Sequence, residues 1–412
     1  MTTTAPRNAS VKDASDRRGV LGATWAWSAV ALAVPIYRTL PGSAALAWFG
    51  LTAALIIGGI LTGRCARPAR FAGIWIVAGY ASLVAIVTAT DLGSPSANLR
   101  VGVQLFVILG LGVFVLTGSV RRDPRFVATV VTAFLVTQTA SAAAGIAQLS
   151  GFVILGQATI NERSPGLSGH PNVLGVMASI AIIVCLAASQ QTDKRRLLIA
   201  GCAAVNVGGL LATGSLSSMS ACALGLLVAA FALRVRTATI VRVALAVTLT
   251  GWLVYTYTDL ADKLSTPSSR FLQVTGQTDA ASTLEIRSET YQFAWDAIQK
   301  SPWAGVGLSS NNAASFDNVT VVHNLFLRSW YQGGILLALA VALIVGAVIL
   351  VALRSIGRGQ DGAAAGVLVA VITFALTSAF FEQPYYWLPL LLAFAMLTPT
   401  PKQQPLRRAV RS

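Results

Sequence analysis

Histidine is almost missing from this chain, with two in 412 residues. His170 and His323 lie far apart and neither sits in a His-Glu-x-x-His run, so a zinc site of that kind has no support. Cysteine is also scarce. Cys65, Cys185, Cys202 and Cys222 form no C-x-x-C pair, which argues against a disulfide framework or a redox motif. The last three stand inside apolar runs and read as small hydrophobes. No Asp-x-Asp occurs, so a metal-bound nucleotide-sugar site is unsupported. The serine-rich Gly214-Ser-Leu-Ser217-Ser218 is not a nucleophile elbow, because no strand precedes it. Charge is the largest deficit. Only 11% of residues are charged, where a soluble domain averages about 25%.

Long apolar runs fill the space that charge leaves. The chain is 55% hydrophobic with mean hydropathy +0.69. Runs near the length needed to cross about 30 Å of hydrocarbon recur along it. The alternating segments of about ten residues that mark a transmembrane β-barrel are absent. The fold class is therefore all-α, a polytopic integral membrane protein with about twelve transmembrane helices. The ninth is expected at 238–258, a long tenth at 323–353 and a short twelfth at 385–398.

Basic residues orient the bundle. With the N-terminus inside, 22 of the 30 Lys and Arg fall in inner segments and eight in outer ones. The high isoelectric point is thus a topology signal and not a nucleic-acid footprint. The expected organisation is a cytoplasmic tail at 1–19, helices one to nine over 20–258, and an extracytoplasmic loop at 259–321. Helices ten to twelve follow over 322–398, with a basic cytoplasmic tail at 399–412. Both termini come out cytoplasmic, in a multi-pass protein of the inner (cytoplasmic) membrane.

The large outer loop carries structure. Ser282-Thr-Leu-Glu285 fits a capping box, and Ser301-Pro302 ends the helix it starts. Leu284, Tyr291, Trp295 and Ile298 share a stripe expected to pack on the membrane domain. Arg287 lies on the same stripe. A cation there needs a local ion pair, a snorkelling path or an anionic ligand.

Three polar motifs stand at the outer ends of apolar segments. The first is Arg163-Ser-Pro-Gly166-Leu-Ser-Gly169-His170-Pro171-Asn172, where the connection can bring Arg163 back over a helix N-terminus. His170 and Asn172 read either as caps or as ligands. The second is Trp303-Ala-Gly305-Val-Gly307, a tight backbone return that is not a phosphate-binding loop. The third is Val322-His323-Asn324-Leu-Phe-Leu-Arg328. Ionisable residues at membrane depth are functional candidates, and Arg328 can alternatively snorkel outward.

Taken in order, Arg163-x-x-Gly166-x-x-x-His170-Pro171-Asn172, an amphipathic loop helix leading into Pro302-x-x-Gly305-x-Gly307, and His323-Asn324 opening a long helix resemble the O-antigen ligase and polysaccharide polymerase superfamily. The resemblance implies glycan transfer from a polyprenyl-diphosphate (undecaprenyl-type) carrier to a glycan, lipid or protein acceptor on the outer face. It implies no metal and no soluble cofactor. Carried over by motif, Arg163 and Arg287 bind the donor diphosphate and His323 is the base or orienting residue. His170, Asn172, Asn324 and Arg328 are further substrate-binding candidates. Many members carry Ser-Arg between helices seven and eight. Here the stretch reads Ser215-Leu-Ser-Ser218, and Arg270 is the candidate replacement. Ligase and polymerase stay open. The competing reading is a transporter or flippase of a lipid-linked or anionic substrate, for which no internal repeat is visible.

Overall fold

A computed structural model describes residues 8–90, 94–190, 195–235, 283–309, 315–316, 320–358, 361–378 and 380–398. The ninth helix expected at 238–258, Arg270, Ser282 of the capping box and most of the outer loop lie outside them. Every regular element among the described residues is helical. In chain order these are α1 (Asn8–Ala33), a 3-10 turn (Val34–Thr39), α2 (Gly42–Leu61), α3 (Ala72–Thr88) and α4 (Pro95–Leu105). A π-helical stretch (Phe106–Gly112) then joins α4 to α5 (Val113–Arg122). The rest are α6 (Phe126–Leu149), α7 (Pro171–Ser189), α8 (Arg196–Ala212), α9 (Leu216–Ala232), α10 (Thr283–Lys300), α11 (Leu325–Arg358), α12 (Gly362–Ala375) and α13 (Pro384–Leu397). Among the described residues, five helical segments are long and apolar enough to cross a membrane, and five shorter apolar helices pack among them.

Small residues let the helices approach closely, as packing between membrane helices requires. The wider π turn brings Gly110 against α3, where a Cβ on Gly79 would lie 2.7 Å from the Gly110 Cα. Between α9 and α12, a Cβ on Gly366 would lie 2.6 Å from the Gly225 carbonyl oxygen. Polar contacts join α6 to α8, with Gln138 Nε2 donating to Asn206 Oδ1 at 3.0 Å. Cys222 is buried in an apolar cluster as expected, but Cys185 and Cys202 have polar surroundings. Cys185 and Cys202 meet at 3.6 Å within this polar cluster, and Thr139 Oγ1 lies 3.0 Å from the Cys202 sulfur.

The two ends of the bundle differ. At one, Arg121 and Arg122 donate to the carbonyls of Arg67 and Gly63 and tie the basic loops together. The three polar motifs gather at the other, and α11 shows how. The sequence predicts one long helix over 323–353. The structure starts it at Leu325, ends it at Arg358 and breaks it at Gly334, where φ is 77°. A break frees carbonyls that the next turn would otherwise bond. Two are taken at once: Val306 N–H donates to the Tyr331 carbonyl at 2.8 Å and Gly307 N–H to the Gln332 carbonyl at 3.0 Å. The Trp303–Gly307 turn is thus a plug docked on a broken helix. Its neighbours fix it further. Thr90 N–H donates to the Gly305 carbonyl at 2.9 Å, and Leu308 N–H to Asn98 Oδ1 of α4 at 2.6 Å.

This docking needs glycine at 305, because a Cβ there would collide with the Gln332 carbonyl. Gly305→Ala is expected to destabilise the protein by about 1–3 kcal/mol through overpacking. Thermal unfolding in detergent checks it. An unchanged midpoint would mean that the turn slides freely over α11.

Candidate functional site

The segment before α7 is built around Arg163. Gly166 has φ 57°, and its N–H donates to Gln148 Oε1 at 2.8 Å while its carbonyl accepts from Gln148 Nε2 at 3.0 Å. This clamp presses the chain so close to α6 that a side chain at 166 would strike the Ser141 carbonyl. Arg163 is thereby brought between two helices. Its Nε donates to the Thr213 carbonyl at 2.7 Å and its Nη2 to Asn172 Oδ1 at 2.6 Å. His170 Nδ1 accepts from the Asn172 N–H at 3.1 Å, so the ring caps α7. Of the two readings open for His170 and Asn172, the structure shows a cap and an arginine holder.

The segment before α11 is similar in kind. Asn324 Oδ1 accepts from the N–H groups of Phe326 at 3.0 Å and Leu327 at 3.1 Å. Its side-chain carbonyl, assigned from sequence to substrate, is occupied as a helix cap. His323 is half-buried beside it, and its carbonyl accepts from the Tyr291 hydroxyl of α10 at 3.3 Å.

Helix α10 presents Thr290, Ala294 and Ile298 to the bundle as buried positions. Of the expected stripe, Ile298 is buried and Tyr291 packs beside it, while Trp295 turns outward. Trp295 is 43% exposed and meets only the edge of Trp330, at 6.2 Å. Arg287 stays near the packed face, with Nη2 3.5 Å from Ser217 Oγ, the limit of a hydrogen bond. That contact falls on the Ser215–Ser218 stretch where many family members have an arginine, so Arg287 reaches that stretch from α10.

Arg328 neither snorkels nor faces the interface. It is 2% exposed, with Nη2 2.6 Å from Glu382 Oε1 and Nε 2.9 Å from Gln332 Oε1. Gln332 Nε2 also donates to Glu382 Oε1 at 3.1 Å. Sequence reasoning missed Glu382. The available signal was an acid at the very start of an apolar span, which is costly without a partner.

The charges converge. Burial pushes His170 down to about 3, the positive charges of Arg38 and Arg163 push the same way, and a protonated His323 would add to them. Burial and then the Arg287 guanidinium push His323 down to about 4, with Arg328 adding to this and a hydrogen bond to the Val321 carbonyl opposing it. Both rings are neutral near pH 7 among several guanidiniums. Helices α7, α9, α11 and α13 all begin at this end, and their N-termini add partial positive charge. Ser218 Oγ donates to the Asn172 carbonyl at 3.4 Å, and a Cβ on Gly175 would lie 2.6 Å from Ser218 Oγ, so the starts of α7 and α9 pack closely. The site suits a phosphate-rich anion beside an uncharged imidazole.

Fold and site define a multi-pass helical membrane protein with a cationic polar cluster at one end. Residues 201–342, from within α8 to within α11, match the family model described as O-antigen ligase. The resemblance to the O-antigen ligase-like superfamily is thereby shown over that segment, which holds Arg287, His323 and the docked turn. The family implies ligase or glycosyltransferase-like activity in polysaccharide and envelope biosynthesis. It lends no support to the transporter reading. No curated protein matches the chain.

Proposed function

We propose that this protein transfers a glycan from a polyprenyl-diphosphate carrier to an acceptor hydroxyl at the outer face of the cytoplasmic membrane. Both termini then lie in the cytoplasm. The observation that carries this reading is a His323 kept neutral by burial and by the Arg287 guanidinium, within the electrostatic reach of His170, whose own neighbour Asn172 holds Arg163.

The chemistry follows from the charges. The bond between the anomeric carbon and the diphosphate oxygen breaks, and its electron pair leaves with the diphosphate. The acceptor oxygen forms the new bond from the opposite side, inverting the anomeric centre. His323 takes the proton that the acceptor hydroxyl releases. Arg287 and Arg163 oppose the negative charge that grows on the leaving group, and the helix N-termini support them. His170 and Asn172 are positioning residues, since they set the start of α7 and the aim of Arg163. The apolar bundle accommodates the polyprenyl chain. Guanidiniums supply the counter-charge that a metal would otherwise supply, so chelation is expected to leave the rate unchanged.

Purified protein in detergent, given polyprenyl-diphosphate oligosaccharide, an acceptor and EDTA, tests the reading. Consumption of donor with formation of product supports it. Donor bound but never consumed across several acceptors sinks it. The pH profile carries the sign of His323. For the free enzyme, kcat/KM is expected to hold through neutral pH and to fall only as pH drops toward about 4, where the ring gains its proton. A bound diphosphate adds negative charge beside the ring and favours its protonated form. The acid limb of kcat is therefore expected at higher pH than that of kcat/KM. Coincident limbs would place the diphosphate away from His323.

A further inference from the structure

A transfer reaction needs two substrates, and the roles proposed above give the acceptor a proton acceptor in His323 but no residue that binds its sugars. At the same end of the bundle, the 3-10 turn carries Tyr37 and Arg38, and α4 carries Arg100. Both guanidiniums are exposed, and among the described residues neither has a hydrogen-bond or ion-pair partner.

Their placement is nonetheless fixed. Thr39 Oγ1 donates to the Leu167 carbonyl at 2.9 Å, and a Cβ on Gly169 would lie 2.7 Å from Thr39 Cγ2 and 3.9 Å from Arg38 Cγ. Arg38 therefore borders the His170 segment. On α4, Gln104 Nε2 donates to the Glu382 carbonyl at 2.9 Å. Arg100 lies one turn away along the same face, toward the polar end. Tyr37 is half-buried between them. Its ring is braced by Trp48 at 4.6 Å and Tyr385 at 5.1 Å between centroids. Its hydroxyl has no hydrogen-bond partner among the described residues. The charges give an order. Arg100 bears on Tyr37, and Arg38 bears on Tyr385 and His170. His323 bears on His170, and Arg287 bears on His323. Arg38 and Arg163 thus both act on His170, while Arg287 acts on His323.

We propose that Tyr37, Arg38 and Arg100 form a second subsite that seats an acidic acceptor glycan, one whose sugars carry carboxylate or phosphate. A braced aromatic ring offers a rigid flat surface with a polar rim. Flanking guanidiniums bind either acid through paired charge-assisted hydrogen bonds. The acceptor role rests on the transferase reading, while the binding itself does not.

Binding of three matched oligosaccharides, bearing carboxylate, phosphate or no charge, is measured on purified full-length protein. The variants are Arg38→Gln/Arg100→Gln and Arg38→Lys/Arg100→Lys. The glutamine pair is expected to weaken binding of acidic glycans roughly ten- to a hundredfold. Binding of the neutral glycan and of the donor stays unchanged, and the lysine pair recovers part of the loss. The carboxylate and phosphate arms show which acid is preferred. Wild type that binds no acidic glycan, equal losses for neutral and acidic glycans, or loss confined to phosphatidylglycerol vesicles overturns the subsite. Acidic glycan bound with normal sensitivity to the variants, but donor never consumed, upholds the subsite and fails the transferase reading.

Discussion

His323→Ala is expected to lower glycan transfer by about 10²–10⁴-fold, the range lost with a general base. The ring is half-buried and neutral, next to Arg287 and within reach of the charge on Arg328. Removing it leaves the arginines and the helix N-termini in place, so donor binding is expected to persist and the loss to fall on kcat. Single-turnover transfer with saturating donor separates the two. A variant that keeps the wild-type kcat would move the proton-accepting role away from His323. A variant that loses donor binding instead would make the ring a diphosphate ligand.

Breaking the Arg328–Glu382 pair is expected to cost about 3–5 kcal/mol, because one partner then stays buried with its charge uncompensated. Arg328 is 2% exposed and Glu382 11%, so water cannot screen the loss. Glu382→Ala should therefore unfold at much lower temperature than wild type. Arg328→Met/Glu382→Leu, which removes both charges, should recover most of the stability. Equal midpoints for wild type and Glu382→Ala would show that water reaches the pair. The site reports the same change electrostatically. Without the carboxylate, the field of Arg328 at His323 is less balanced, and the acid limb of kcat/KM is expected to move to lower pH.

How much of this was legible beforehand differs from residue to residue. The candidacy of Arg163, His170, Arg287 and His323 followed from motifs at the ends of apolar segments. Their local chemistry did not. Asn324 read as a ligand side chain through the family resemblance, and Asn172 as either a cap or a ligand. One caps α11 and the other holds Arg163. Helix caps and ligands use the same amide groups, and only geometry separates them. Arg328 read as a substrate ligand or a snorkelling cation, and its partner is 54 positions away. Pairing across that distance leaves no local pattern. Arg270 and the helix at 238–258 lie outside the described residues.

The sequence by itself determined the helical membrane class, because long apolar runs with few charges can satisfy their backbone in hydrocarbon only as helices. It also placed the polar motifs at helix starts, since Pro171 and the glycines before it encode a turn and then a helix. The tertiary structure decided the rest. It broke α11 at Gly334, where an incoming turn takes the freed carbonyls. It turned Trp295 of α10 outward while Ile298 of the same stripe stays buried, since packing against α11 selects among faces of similar apolarity. It also brought Glu382 to Arg328 and left Arg38 and Arg100 at the rim. Which charges are matched and which stay open to a ligand depends on contacts between distant segments, and those arise only when the helices pack.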